Sequence, residues 1–143
     1  MTMRDLHNTT AVVRAVRPQT ITSSNIASSG IDLRGFNAAE IVVEFGDIDE
    51  MGGSPVGAAK VDTQLEHSDD DVTYADVALA DVIGPASVSG GIVSSVTTDA
   101  APVEVGYLGE KRYIRLTLKP TGLTNGGPIA ALVIKGHPRH APQ

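Results

Sequence analysis

Few residues in this chain are of the types that do chemistry, and their spacing decides what each could do. Asp69, Asp70 and Asp71 offer the hard carboxylate oxygens that calcium takes. Consecutive side chains diverge, however, and no glycine-containing ligand loop follows, so a solvated turn accounts for the same residues and both readings of the turn stay open. Asp47, Asp49 and Glu50 pose the same question and receive the same answer. His7, His67, His137 and His140 could ligate a metal or act as a general base. His137 and His140 are three apart with Pro138 between them, so they cannot share a helical face. His7 and His140 lie near the chain ends, where a fixed catalytic geometry is hard to hold, and His67 closes an alternating run as a rim or core residue. Residues 87–91, Ser-Val-Ser-Gly-Gly, do not form the Gly-x-Ser-x-Gly elbow of a serine nucleophile. Gly126-Gly127-Pro128 lacks the Lys and following helix of a phosphate-binding loop. With no cysteine there is no disulfide, thiolate zinc site or cysteine nucleophile. Neither catalysis nor a metal or other cofactor is expected.

What remains suits a chain that works through its surface. Its 143 residues are the size of one domain. Val, Ile, Leu and Phe supply 37 of them, enough to build a core rather than a disordered chain. Two Phe, three Tyr and no Trp make that core aliphatic and leave little material for stacking on sugars or single-stranded nucleic acid. A net charge of −6 argues against a nucleic-acid partner, because phosphate binding needs clustered Lys and Arg. The total conceals a polarity: residues 40–81 hold twelve acids and one base, Lys60, while the rest holds five acids and ten bases. Such a chain presents acidic and basic surfaces to its neighbours unless folding interleaves the two segments. The first ten residues carry no secretory signal and no run approaches the ~18 apolar residues of a membrane span. A soluble, cytoplasmically made protein without membrane contact is expected.

The elements that must position these residues read as strands. Period-two alternation recurs between clusters of Gly, Pro, Ser, Asn and Asp. Residues 10–16 form a first run, ended by Arg17-Pro18 and a polar stretch over 19–30; residues 31–33 follow. Residues 40–45 place Ile41, Val43 and Phe45 on one face and Glu40 and Glu44 on the other. An exposed loop is expected over 47–55, and the longest alternation covers 59–67. After the Ser68–Asp71 turn, 72–74 starts a return strand, and 75–83 reads equally as strand or short helical turn. Residues 92–98 and 103–107 are strands, 108–111 a hairpin turn, and 113–118 a strand with Ile114, Leu116 and Leu118 inward. The apolar run 129–134 reads as a central strand covered on both faces. About eight to ten short strands at even spacing predict an all-β fold, an antiparallel β-sandwich of jelly-roll type. It would occupy residues 10–136, with an N-terminal arm over 1–9 and an extended C-terminal tail over 137–143.

Two stretches resemble known families. Ser29-Gly30-Ile31-Asp32-Leu33-Arg34 is similar to the first motif of the trimeric dUTP pyrophosphatases. That family's Ser-Gly phosphate motif, its aspartate-and-tyrosine nucleoside motif and its Arg/Gly/Phe-rich arm have no counterpart here, so the activity is not expected. A broader likeness runs through the second half: Leu65 to Asp70 with Thr73 to Val77, then Gly106 to Leu116, then Thr121 to Ile129 and the ending Gly136 to Pro142. These segments resemble the capsid decoration, or cement, proteins of tailed bacteriophages. Where that family has Gly after the Ser-Asp-Asp turn, this chain has Asp71, which opens the question of turn type.

The resemblance implies a structural virion protein that binds the outer surface of an icosahedral phage capsid. It would stabilise the shell by non-covalent bridging of capsomers. Its implied partners are the major capsid protein and further copies of itself, as a dimer or trimer, with no nucleic acid and no membrane. Extended ends are the natural reach toward neighbouring subunits, which singles out Arg4, Leu6, His7, His137, Pro138, Arg139 and His140 as interface residues. Proline in the tail lowers the entropy lost on ordering it. The competing reading is a host-surface or glycan-binding sandwich of a phage tail structure, which would need a ring of exposed aromatics.

Overall fold

The computed structural model describes residues 4–51, 59–98 and 101–140. A 3-10 turn at His7–Thr9 leads into β1 (Thr10–Ile21), β2 (Ile26–Ala27), β3 (Ile31–Asp32), β4 (Phe36–Phe45), β5 (Lys60–Ser68) and β6 (Ala75–Asp76). A second 3-10 turn, Leu79–Asp81, precedes β7 (Val82–Ile83), β8 (Ile92–Val96), β9 (Val103–Tyr107), β10 (Tyr113–Thr121) and β11 (Gly127–Pro138). One sheet has the order β1-β11-β4-β9-β7; the other runs β2-β10-β5-β6, with β3 also on β10 and β8 also on β5.

Pairing is antiparallel throughout and nested along the chain. The first strand pairs with the last, β2 and β3 pair with β10, β4 with β9, and β5 with β6 and β8. One long hairpin rolled over itself gives this order, which is the jelly-roll arrangement. The expected antiparallel sandwich is thus what the chain forms. Alternation supplies the interior: Ile41, Val43 and Phe45 from β4 and Ile129, Ala131 and Val133 from β11 meet Val61, Leu65, Ile114, Leu116 and Leu118 from the opposite sheet. Each Val, Leu, Ile or Phe among them contributes ~1.5–3 kcal/mol on burial.

Several local expectations yield to tertiary demands. β1 runs on past Pro18 to Ile21, because Ile21 fills the core; register shifts between Arg14 and Gln19 absorb the proline on what is an edge strand. The return strand over 72–74 does not form: Asp70 Oδ1 accepts the backbone N–H groups of Val72 and Thr73, taking donors a ladder would use. Residues 75–83 contain both alternatives, two short strands around a 3-10 turn. No hairpin joins β9 to β10, which lie in different sheets. The connection folds instead around Tyr107, whose hydroxyl accepts the Lys111 N–H. β11 is central, but its apolar run is buried on one face only: Leu132 is 40% exposed where Val133 is 0%. The loop from Asp47 is packed as far as Met51, for Ile48 and Met51 are buried; residues 52–55 of that expected loop lie outside the described residues. Asp71 sits at φ 60°, so the position does call for a left-handed residue, a conformation Asp tolerates.

Three substitutions test this packing. Gly126 has φ +66°, and a Cβ there would fall on the Ile21 carbonyl oxygen, whereas a Cβ at Gly136 meets nothing. Gly126→Ala is expected to cost ~2 kcal/mol or more in urea unfolding, with Gly136→Ala within ~0.5 kcal/mol of the parent. Thr63 is 1% exposed and its hydroxyl has no partner among the described residues. Thr63→Val, which removes a stranded polar group, is expected to raise stability by ~1 kcal/mol.

Candidate functional site

The ends of the chain meet at one end of the sandwich. Thr10 pairs with Gly136, which pairs in turn with Ala38, so β1, β11 and β4 begin or finish in one cross-strand row. The His7–Thr9 turn packs against β11. Local bonds fix the arm from residue 4 onward: the Leu6 carbonyl accepts from the Thr9 and Thr10 hydroxyls (3.1 and 2.9 Å), and Asn8 Nδ2 donates to Asp5 (2.7 Å). Leu6 itself is 70% exposed, a lone apolar side chain presented to solvent. At the other end of the chain, His137 takes a left-handed φ of 50°, Pro138 pairs with Phe36 and the Arg139 N–H donates to the Gly35 carbonyl (2.8 Å). His137 and Pro138 thus belong to β11. Arg4, His7, Arg139 and His140 are exposed, and the residues before 4 and after 140 lie outside the described range.

Beside these ends lies a cleft of about 490 Å3. Leu33 to Ala39 form one wall, the Tyr107–Arg112 connection the other, and Arg139 closes it. Four of its lining side chains are basic, Arg34, Lys111, Arg112 and Arg139, against one acid, Glu110. Three are held in place. Arg112 donates through Nε and Nη2 to the two oxygens of Asp32 (3.0 and 2.8 Å), Lys111 Nζ donates to Asp69 (2.5 Å), and Arg139 Nε donates to Asn37 (3.2 Å). Arg112 also stacks over Tyr113, 4.9 Å from its centroid. The Arg112 guanidinium brings the Asp32 carboxyl down to about 2. Tyr107 forms the floor: its ring meets His67 edge-on, and its hydroxyl lies 2.9 Å from His67 Nδ1, tying the two sheets together. Burial pushes that hydroxyl up to about 12.

Folding partly interleaves the acidic and basic segments. Asp69 and Glu66 of the acidic middle take Lys111 and Arg115 of the basic flank. In the triple acid, the three carboxylates go to three different partners: Asp69 to Lys111, Asp70 to Ser68 and to backbone N–H groups, and Asp71 to the Tyr74 hydroxyl. Glu50 spends its carboxylate on the N–H groups of Thr124, Asn125 and Gly126, which hold it below the usual range. His67 is a cross-sheet partner of Tyr107.

The cleft residues Arg34, Asn37 and Tyr107 to Arg112 are the part that sequence reading misses. The run Lys111-Arg112, directly after a turn, was the available signal, hidden by the assumption of a hairpin. Chemically, the arrangement can hold an acidic protein surface against a rigid, basic, partly neutralised rim.

No family model matches the chain, and no curated protein does. Among solved structures, the SPBc2 prophage-derived protein YomS aligns over 90% of this chain and 93% of its own at 6% identity, with a TM-score of 0.47. A structure described under the words "Bacillus endospore appendages form a novel family of disulfide-linked pili" aligns over 95% and 97% at 9% identity, with a TM-score of 0.39. At these values neither likeness assigns a role to this chain.

Because Asp32 titrates lower when folded than when unfolded, its stabilisation is present above pH ~4 and is lost as the pH falls toward 2. Both partners are over a third exposed, so the effect is screened to less than ~1 kcal/mol. In urea unfolding, the stability difference between the parent and Asp32→Asn should therefore shrink between pH 5 and pH 2. A constant difference would mean that the pair makes no pH-dependent contribution.

Proposed function

We propose that this protein is a structural component of a tailed-phage virion that decorates the outer surface of the capsid and stabilises the shell by non-covalent bridging, without catalysis. The observation that carries the reading is the gathering of both chain ends and a basic cleft at one end of a rigid sandwich. A bridging protein needs little else. The nested pairing makes the body stiff, the ordered arm and the Arg139 end offer contacts beyond it, and the basic rim suits an acidic capsid face. The resemblance of residues 65–70, 73–77, 106–116, 121–129 and 136–142 to decoration proteins points the same way. Tyr107 and Phe36 are the aromatic side chains of the cleft, and Tyr107 is buried, which leaves a sugar little to stack on.

Purified protein is expected to co-sediment with capsids of its own phage, and heads lacking it to break on heating or in low salt sooner than decorated heads. Arg34→Glu combined with Arg139→Glu should weaken capsid binding at least ~10-fold, since both guanidinium groups would become repulsive to an acidic face. Heads equally stable with and without the protein, or unchanged binding by the double variant, would sink the corresponding part of the reading.

A further inference from the structure

The outward faces of the two sheets differ in kind. On β10 and β5 most charges are paired with one another: Arg115 Nε and Nη2 donate to Glu66 (3.0 and 2.7 Å) and Lys60 meets Asp62 (3.1 Å), while the neutral Gln64 Nε2 donates to Asp76 (2.8 Å) and Lys119 makes no ion pair among the described residues. On the other sheet the register sets Arg14, Leu132, Val42 and Glu104 in one cross-strand row facing out. The next outward row is Val12, Ile134, Glu40, Gly106 and Ile83. Val12 is 62% exposed, Ile83 59% and Leu132 40%, so apolar side chains from three strands stand in water on one face.

The charges on this face are segregated by strand. β1 carries Arg14 and Arg17 and no acid, β4 and β9 carry Glu40, Glu44 and Glu104 and no base, and between them β11 turns out the uncharged Pro128, Ala130, Leu132 and Ile134. Among the described residues, neither Arg14 nor Glu40 nor Glu104 makes an ion pair. Glu40 leans over Gly106, its Oε2 3.2 Å from where a Cβ would stand, which clears it from the apolar centre. Burial raises the Glu40 carboxyl, and Glu104 raises it further, as expected of acids with no cation of their own chain at hand.

We propose that this face is a self-association surface on which a second copy of the chain docks face to face about a two-fold axis. With the axis along the strands, between β11 and β4, every β1 position meets β9 of the second copy and every β11 position meets β4. Arg14 then lies over the second copy's Glu104, twice by symmetry, and Leu132 over its Val42. The basic β1 and the acidic β9 are complementary under that one operation, with Leu132 and Val42 between them, and Glu40 and Glu44 of β4 then lie over Ile134 and Ala130 of the second copy. The strands span a flat area on the order of 600 Å2 per copy, close to the ~800 Å2 per partner of a standard interface. Edge pairing is the poorer alternative, because the long edge strand β1 carries Pro18 and two register shifts. The inference does not depend on capsid binding.

Sedimentation of the purified full chain tests it. The parent should sediment as a dimer, and Arg14→Glu or Glu104→Arg alone should raise the dissociation constant at least ~10-fold by setting like charges together. An equal mixture of those two single variants restores opposite charges at both contacts and should recover the parent affinity to within ~3-fold. Leu132→Glu should leave a monomer. All three residues are exposed, so the variants should fold, and unchanged thermal melts of dilute samples check this. A parent that is monomeric at ~100 µM, a trimer or higher oligomer, a dimer indifferent to these substitutions, or a mixture no tighter than the single variants would each overturn the proposal.

Discussion

The pairing of β11 between β1 and β4 is the constraint on which the rest of the molecule depends. It closes the chain, since it sets the last strand beside the first, and it places Ile129, Ala131 and Val133 at the centre of the core. The same ladder brings Thr10, Gly136 and Ala38 into one row and so collects the chain ends beside the basic cleft. Because side chains alternate, burying Val133 necessarily turns Leu132 and Ile134 outward, which creates the apolar centre of the exposed face. End and face are therefore two consequences of one register. A slip of one residue would abolish both.

Those two surfaces suit a protein whose task is contact. The end combines an ordered arm, an exposed Leu6 and a rim of guanidinium and ammonium groups already fixed by Asp32, Asp69 and Asn37. Fixing the side chains beforehand lowers the entropy lost when a partner arrives. The face is broader, spread over the paired strands β1, β11, β4 and β9. One surface for a capsid and another for a second copy would let a small domain bridge two sites at once.

Much of this fold was legible in the sequence because its strands alternate cleanly. Ile41-Val43-Phe45 and Ile114-Leu116-Leu118 can bury one face only as strands, and they do. The failures have a common cause: local signals were overridden by needs elsewhere in the fold. Pro18 reads as a stop, yet Ile21 has to reach the core. Leu108-Gly109-Glu110-Lys111 reads as a hairpin turn, yet its flanking strands belong to different sheets and the turn wraps Tyr107. The run 129–134 reads as buried on both faces because composition alone cannot tell a second packed layer from an apolar face left open to solvent. Of the interface residues expected from the ends, Arg139 is part of the cleft, whereas Arg34 and Tyr107 to Arg112 became visible only once β4 and β9 were laid side by side.

We propose that the protein acts by binding through its terminal end. Hydrogen–deuterium exchange on the protein, free and bound to capsids, tests this most directly. Slowed exchange on binding is expected at residues 6–9, 33–39 and 107–112 and around Arg139, with the β5–β10 ladder unchanged. Protection confined to the outer face of β5 and β10, or no change at the terminal end, would contradict it.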